Sequence, residues 1–121
     1  MANEFGMYDS AYNSLRRRFP ERDGWKIFPQ DQWDGYRPDY VVERRMKGVL
    51  QRVVAEVKDT DCIKQDHIAQ LNYYIKSLAG GNVRIYAKII IVPAGCDCSI
   101  IGEDIEVIYL RGLKYKHFNA V

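Results

Sequence analysis

No apolar run in this 121-residue chain reaches the roughly 18 residues that a membrane-spanning helix needs. The longest, Ile89 to Ala94, is strand-sized, so no membrane partner is expected. The opening segment, Met1-Ala2-Asn3-Glu4-Phe5, has no basic stretch leading into an apolar one, and no secretion signal is expected. Cysteine is scarce and odd in number. Three residues do not make the even set of a disulfide scaffold, which points to reduced thiols and a cytoplasmic protein. Neither sign of charge is in excess: 18 basic and 16 acidic residues leave +2, which permits a nucleic-acid partner without announcing one. Repeats, linkers and low-complexity segments are absent too. What is present, 47% hydrophobic and 28% charged residues, is ordinary globular usage. A single domain over residues 1–121 is expected, able to bury roughly two-thirds of its unfolded surface.

Apolar side chains at Met7, Tyr8, Ala11, Tyr12, Leu15 and Phe19 have the spacing of one helix face, and Pro20 and Gly24 close that helix. Trp25 to Phe28 reads as a short strand ended by Pro29. Tyr40-Val41-Val42 and Val53-Val54-Ala55 read as a hairpin around Lys47-Gly48, where the glycine supplies a positive φ. With that turn, Val42 faces Val53, Val41 faces Val54, and Glu43 faces Arg52 as an opposite-charge pair. Ile63 to Leu78 forms a second helix, capped by Thr60 or Asp61 and ended by Gly80-Gly81. Val83 to Val92 is an apolar, β-branched strand, and Ile105 to Leu110 is a final one. The order predicts an α/β domain, a central mixed sheet flanked by helices.

The same register sets Asp39 opposite Glu56. Two like charges on one face, with Cβ atoms roughly 5 Å apart, destabilise a hairpin unless something offsets them. A divalent cation does so economically, since Mg²⁺ binds through one or two carboxylates and keeps waters for substrate oxygens. Lys58, two residues beyond Glu56, projects from the same strand face. Carboxylate pair, lysine and metal make a hydrolytic set: the metal polarises phosphate and acidifies a bound water, and the lysine orients or deprotonates that water. The plainer reading is a solvated strand face, because alternate positions of an antiparallel sheet are normally polar. The joint pattern favours chemistry: the acid and lysine end an apolar run, and the register brings a second acid to meet them.

Pro38-Asp39 followed across the hairpin by Glu56-Val57-Lys58 resembles the signature of the PD-(D/E)XK nuclease superfamily. The element order around it, αβββαβ plus a C-terminal strand, is similar to the restriction-endonuclease-like core, and the resemblance covers roughly Tyr8 to Val92. It implies that Asp39, Glu56 and the Val57 main-chain carbonyl hold Mg²⁺ or Mn²⁺ and that Lys58 is the catalytic lysine. Gln70-Leu71-Asn72-Tyr73-Tyr74 looks like the Gln-x-x-x-Tyr motif of RecB-like nuclease domains, which would add Gln70 and Tyr74 to the site. Gln70 also stands on a helix face otherwise built of Ile, Leu and Tyr, where an amide asks for a polar partner. Tyr74 reads equally as a core aromatic. Many members use an acid on the first helix, for which Glu4 and Asp9 are the candidates here.

The resemblance implies a Mg-dependent deoxyribonuclease acting on phosphodiester bonds. Its compactness is similar to that of small archaeal Holliday junction resolvases, which are homodimers. The alternative is a non-catalytic nucleic-acid-binding or assembly module that retains the fold. His67, one turn from Gln70, is placed to approach a phosphate, although a histidine on a packing face more often serves structure. Cys96-Asp97-Cys98 lacks the second ligand pair of a zinc site and reads as a turn. DNA phosphates would meet Arg16, Arg17, Arg18 and Arg22 on or just after the first helix, Arg44, Arg45 and Lys47 at the hairpin tip, and the Lys114–Phe118 tail.

Overall fold

The computed structural model describes residues 2–30 and 38–114, with side chains over 6–30 and 38–111. Helix α1 (Ala2–Arg18) leads through a 3₁₀ turn at Glu21–Asp23 into β1 (Lys26–Pro29). Then come β2 (Tyr40–Met46), β3 (Val49–Val57), helix α2 (Gln65–Leu78), β4 (Val83–Ala94) and β5 (Glu106–Lys114). The five strands form one open mixed sheet in sequence order. β2 runs antiparallel to both β1 and β3, whereas β3, β4 and β5 run parallel, with α2 supplying the crossover that a parallel β3–β4 pair requires. The expected α/β class and element order are both present.

The β2–β3 hairpin has the register read from the sequence: Val42 faces Val53, Val41 faces Val54, and Glu43 faces Arg52. Arg52 Nε donates to Glu43 Oε2 at 2.6 Å. Lys47 and Gly48 form the turn with φ of 51° and 82°, the left-handed pair whose twist suits a two-residue hairpin.

Two cores sandwich the sheet. Met7, Ala11 and Leu15, one per turn along α1, and Phe19 just beyond its end pack on Val42, Val53, Ala55, Val57, Ile89 and Ile91. On the opposite face Leu71 and Tyr74 of α2 join Val54, Ile63, Ile90, Val92 and Ile105. The central strands β3 and β4 are covered on both faces, which is why Val53-Val54-Ala55 and Ile89 to Val92 are continuous apolar runs.

Three boundaries differ from expectation. α1 begins five residues before Met7, because its polar first turn carries no apolar periodicity to mark it. α2 starts at Gln65, not Ile63. Residues 61–63 instead pair with Asp97, whose N–H donates to the Asp61 carbonyl and whose carbonyl accepts from Ile63 N–H. Neither Thr60 nor Asp61 caps the helix; the Thr60 hydroxyl bonds with Cys62 backbone atoms. β4 runs through Pro93 to Ala94, where the pairing with β5 shifts register, since proline has no N–H for the ladder. β5 likewise continues beyond Leu110.

Candidate active site

Alternation along β3 turns Val53, Ala55 and Val57 toward α1, and Val54 and Glu56 toward α2. Asp39, just before β2, meets Glu56 across the end of the hairpin. Both are buried, 7% and 4% exposed, and they are the only fully buried charged side chains among the described residues. Each carboxylate holds a backbone N–H of the other's strand. Asp39 N–H donates to Glu56 Oε1 at 2.9 Å, and Val57 N–H donates to Asp39 Oδ2 at 2.6 Å. The acids thus close the last rungs of the β2–β3 ladder.

Lys58 Nζ lies 3.5 Å from Glu56 Oε2 and donates to Gln70 Oε1 at 2.7 Å; Gln70 Nε2 donates in turn to the Tyr74 hydroxyl at 2.8 Å. One turn of α2 separates Gln70 from Tyr74, so helix geometry supplies their contact. Asp39, Glu56, Lys58, Gln70 and Tyr74 are therefore contiguous; the hairpin register anticipates the first three, and the motif resemblance the last two.

Burial, then the Asp39 carboxyl beside it, lifts the Glu56 carboxyl from 4.5 to about 8, with Lys58 opposing. Burial and the Asp39 charge also push the Tyr40 phenol up to about 12. Burial and mutual repulsion thus favour a shared proton on the acid pair near neutrality. Carboxylate oxygens are hard donors, the type that Mg²⁺ and Mn²⁺ take. Among the described residues no three His, Cys, Asp or Glu side chains converge as a metal-holding group.

The first helix reaches the site with a hydroxyl. Tyr8 OH donates to Asp39 Oδ1 at 3.1 Å, and Tyr40 OH donates to the Tyr8 carbonyl at 3.0 Å. Asp9 is exposed, and the side chain of Glu4 lies outside the described residues. Tyr8 was legible only as part of the apolar stripe, though a tyrosine facing a core usually finds a partner for its hydroxyl.

His67 is structural. Its Nδ1 accepts the Lys64 N–H at 2.9 Å, closing the first turn of α2, and burial followed by the Lys58 charge lowers its pKa. A lowered value means that this capping contribution is full above about pH 6.5 and fades as pH falls and the ring protonates. His67→Ala should cost about 1 kcal/mol in urea unfolding at pH 7.5, and less at pH 5. An equal cost at both values would deny the cap.

The basic residues separate. Arg18 pairs with Glu106 at 3.2 Å. Arg44 stacks 4.4 Å from the Trp25 ring centroid and donates to Gln51, so it belongs to the packing. Arg45 and Lys47 sit at the hairpin tip, about 20 Å of strand away from the acids. Arg16 and Arg17 lie in the last turn of α1. Residues 31–37 and the tail beyond Lys114 lie outside the described residues. Cys96 and Cys98 are free thiols 3.8 Å apart in the turn after β4, as the turn reading expects.

Among the described residues no helix is long and apolar enough to cross a membrane. No family model, curated protein or solved structure matches this chain.

Proposed function

We propose that this α/β domain is a metal-dependent nuclease with a restriction-endonuclease-like core, hydrolysing phosphodiester bonds in DNA. One observation carries the reading: the buried Asp39–Glu56 pair meets a lysine already bridged between Glu56 and Gln70. A purely structural strand end has little use for two desolvated carboxylates, because burying charge is costly unless it is matched.

Asp39, Glu56 and the Val57 carbonyl would hold Mg²⁺ or Mn²⁺, which when bound polarises the phosphate and lowers the pKa of a water. Lys58 presents its ammonium beside the acids, placed to orient the attacking water and to stabilise charge developing on the phosphate oxygens. Gln70, itself held by Tyr74, fixes the lysine's direction. Tyr8 holds Asp39 from the other side of the sheet. The three free thiols are in keeping with a reducing compartment such as the cytoplasm.

Calorimetric titration with Mn²⁺ tests this reading. Wild type is expected to bind, and Asp39→Asn to lose about tenfold or more in affinity while keeping the acceptor for Val57 N–H. Cleavage is then measured on a four-way junction, a flap, a linear duplex and a single strand. No binding by wild type, or equal binding by the variant, would leave a non-catalytic module as the reading.

A further inference from the structure

A groove of about 820 Å³ runs between the second half of α1 and the edge strand β1. Tyr12, Arg16, Arg17, Arg22, Lys26 and Phe28 line it. One end adjoins the acid pair. The Tyr12 ring lies 6.2 Å from that of Tyr40, Phe28 pairs in register with Val41, and Gln30 N–H donates to the Asp39 carbonyl.

Among the described residues, Arg45, Lys47, Lys64, Lys76 and Arg84 also lack an ion pair, but the four cations of this groove are gathered on one concave surface. Arg18, Arg52 and Lys88 have Glu106, Glu43 and Asp104, but no described carboxylate makes an ion pair with Arg16, Arg17, Arg22 or Lys26. Among the described residues, Glu21 is the sole acid along the groove's lining. Such a concentration of positive charge in a concave site suits a polyanion. Tyr12, 37% exposed, stands on the α1 side, and Phe28, 43% exposed and in register with Val41, stands at the strand edge on the sheet face that carries Asp39. Base faces are free to stack on such rings only where they are unpaired.

We infer that this groove binds a single nucleic-acid strand, its phosphates on the Arg16–Lys26 cations and its bases against Tyr12 and Phe28, leading toward Asp39. The direction of the strand rests on the nuclease reading; the binding itself does not. Arg18, Arg44, Arg45 and Lys47 take no part.

Fluorescence anisotropy with a labelled oligothymidylate of about 20 nucleotides, in EDTA so that no cleavage occurs, tests the inference. Wild type is expected to bind this strand about tenfold more tightly than a duplex of the same length. The Arg16→Glu/Arg22→Glu double variant should lose about tenfold in affinity, while Arg45→Glu changes it by less than about twofold. Phe28→Ala, a truncation of an exposed ring, should lose about fivefold. Equal affinity for the duplex, an equal loss in Arg45→Glu, or undiminished binding by Phe28→Ala would each overturn the inference. Because no metal is present, failure here leaves the Mn²⁺ titration standing. Failure of that titration with the groove variants behaving as expected would instead define a binding surface without catalysis.

Discussion

Lys58→Ala is expected to lower the single-turnover rate of DNA cleavage by roughly 10²–10⁴-fold, the range for removing a positioned proton-transfer or charge-stabilising group. DNA affinity should change by no more than about threefold, since one phosphate contact at most is lost. The expectation follows from where the ammonium sits, 3.5 Å from Glu56 and 2.7 Å from Gln70, inside the site and not along the groove. Lys58 is only partly buried, so its truncation leaves room for water and should spare the fold. The measurement is cleavage of a radiolabelled strand with enzyme in excess, alongside binding in EDTA. Equal cleavage by wild type and variant would trace the activity to a contaminant or to another site.

The second large effect is on stability. Burial and Asp39 lift the Glu56 carboxyl from 4.5 to about 8, so between those values the folded chain carries a proton that the unfolded chain has released. Stability from this group is therefore full below pH 4.5 and lost as pH rises through 8. In EDTA, wild type should lose on the order of 4 kcal/mol between pH 5 and pH 8.5 through this group. Glu56→Gln should remove that dependence, since its amide keeps an acceptor for Asp39 N–H and offers the Asp39 carboxylate a donor. Mg²⁺ at about 100 times its dissociation constant should restore about 2.7 kcal/mol to wild type at pH 8.5, and little to the variant. Urea titrations at the two pH values, with and without the cation, decide it. Parallel pH profiles for the two proteins would refute the assignment.

Local rules made the hairpin readable from sequence. Lys47-Gly48 fixed the turn, and alternation then fixed every rung down to Asp39 and Glu56. Gln70 and Tyr74 were readable for a similar reason, because one helical turn joins them whatever surrounds the helix. Partners distant in the chain were not. Tyr8 meets Asp39 across 31 positions, and no periodicity on α1 tells a hydroxyl at the site from one more core aromatic. The start of α2 was hidden because residues 61–63 are claimed by Asp97, far along the chain. Arg18 and Arg44 looked like DNA contacts until Glu106 and Trp25 took them. Local charge runs say nothing about which cations tertiary structure will neutralise.

The paired acids at the end of β2 and β3 also constrain how such a domain can evolve. Each one's side chain completes the other strand's backbone hydrogen bonding, so losing it is felt by the fold as well as by any chemistry. Most truncations there should be purged for instability before their loss of function matters. A lineage abandoning hydrolysis would have a narrow path, through Asp39→Asn or Glu56→Gln, where the oxygen acceptors survive the loss of charge. Descendants with an inert site should therefore carry amides at these positions far more often than alanine or glycine, and a set of homologous sequences would reveal that bias without any assay.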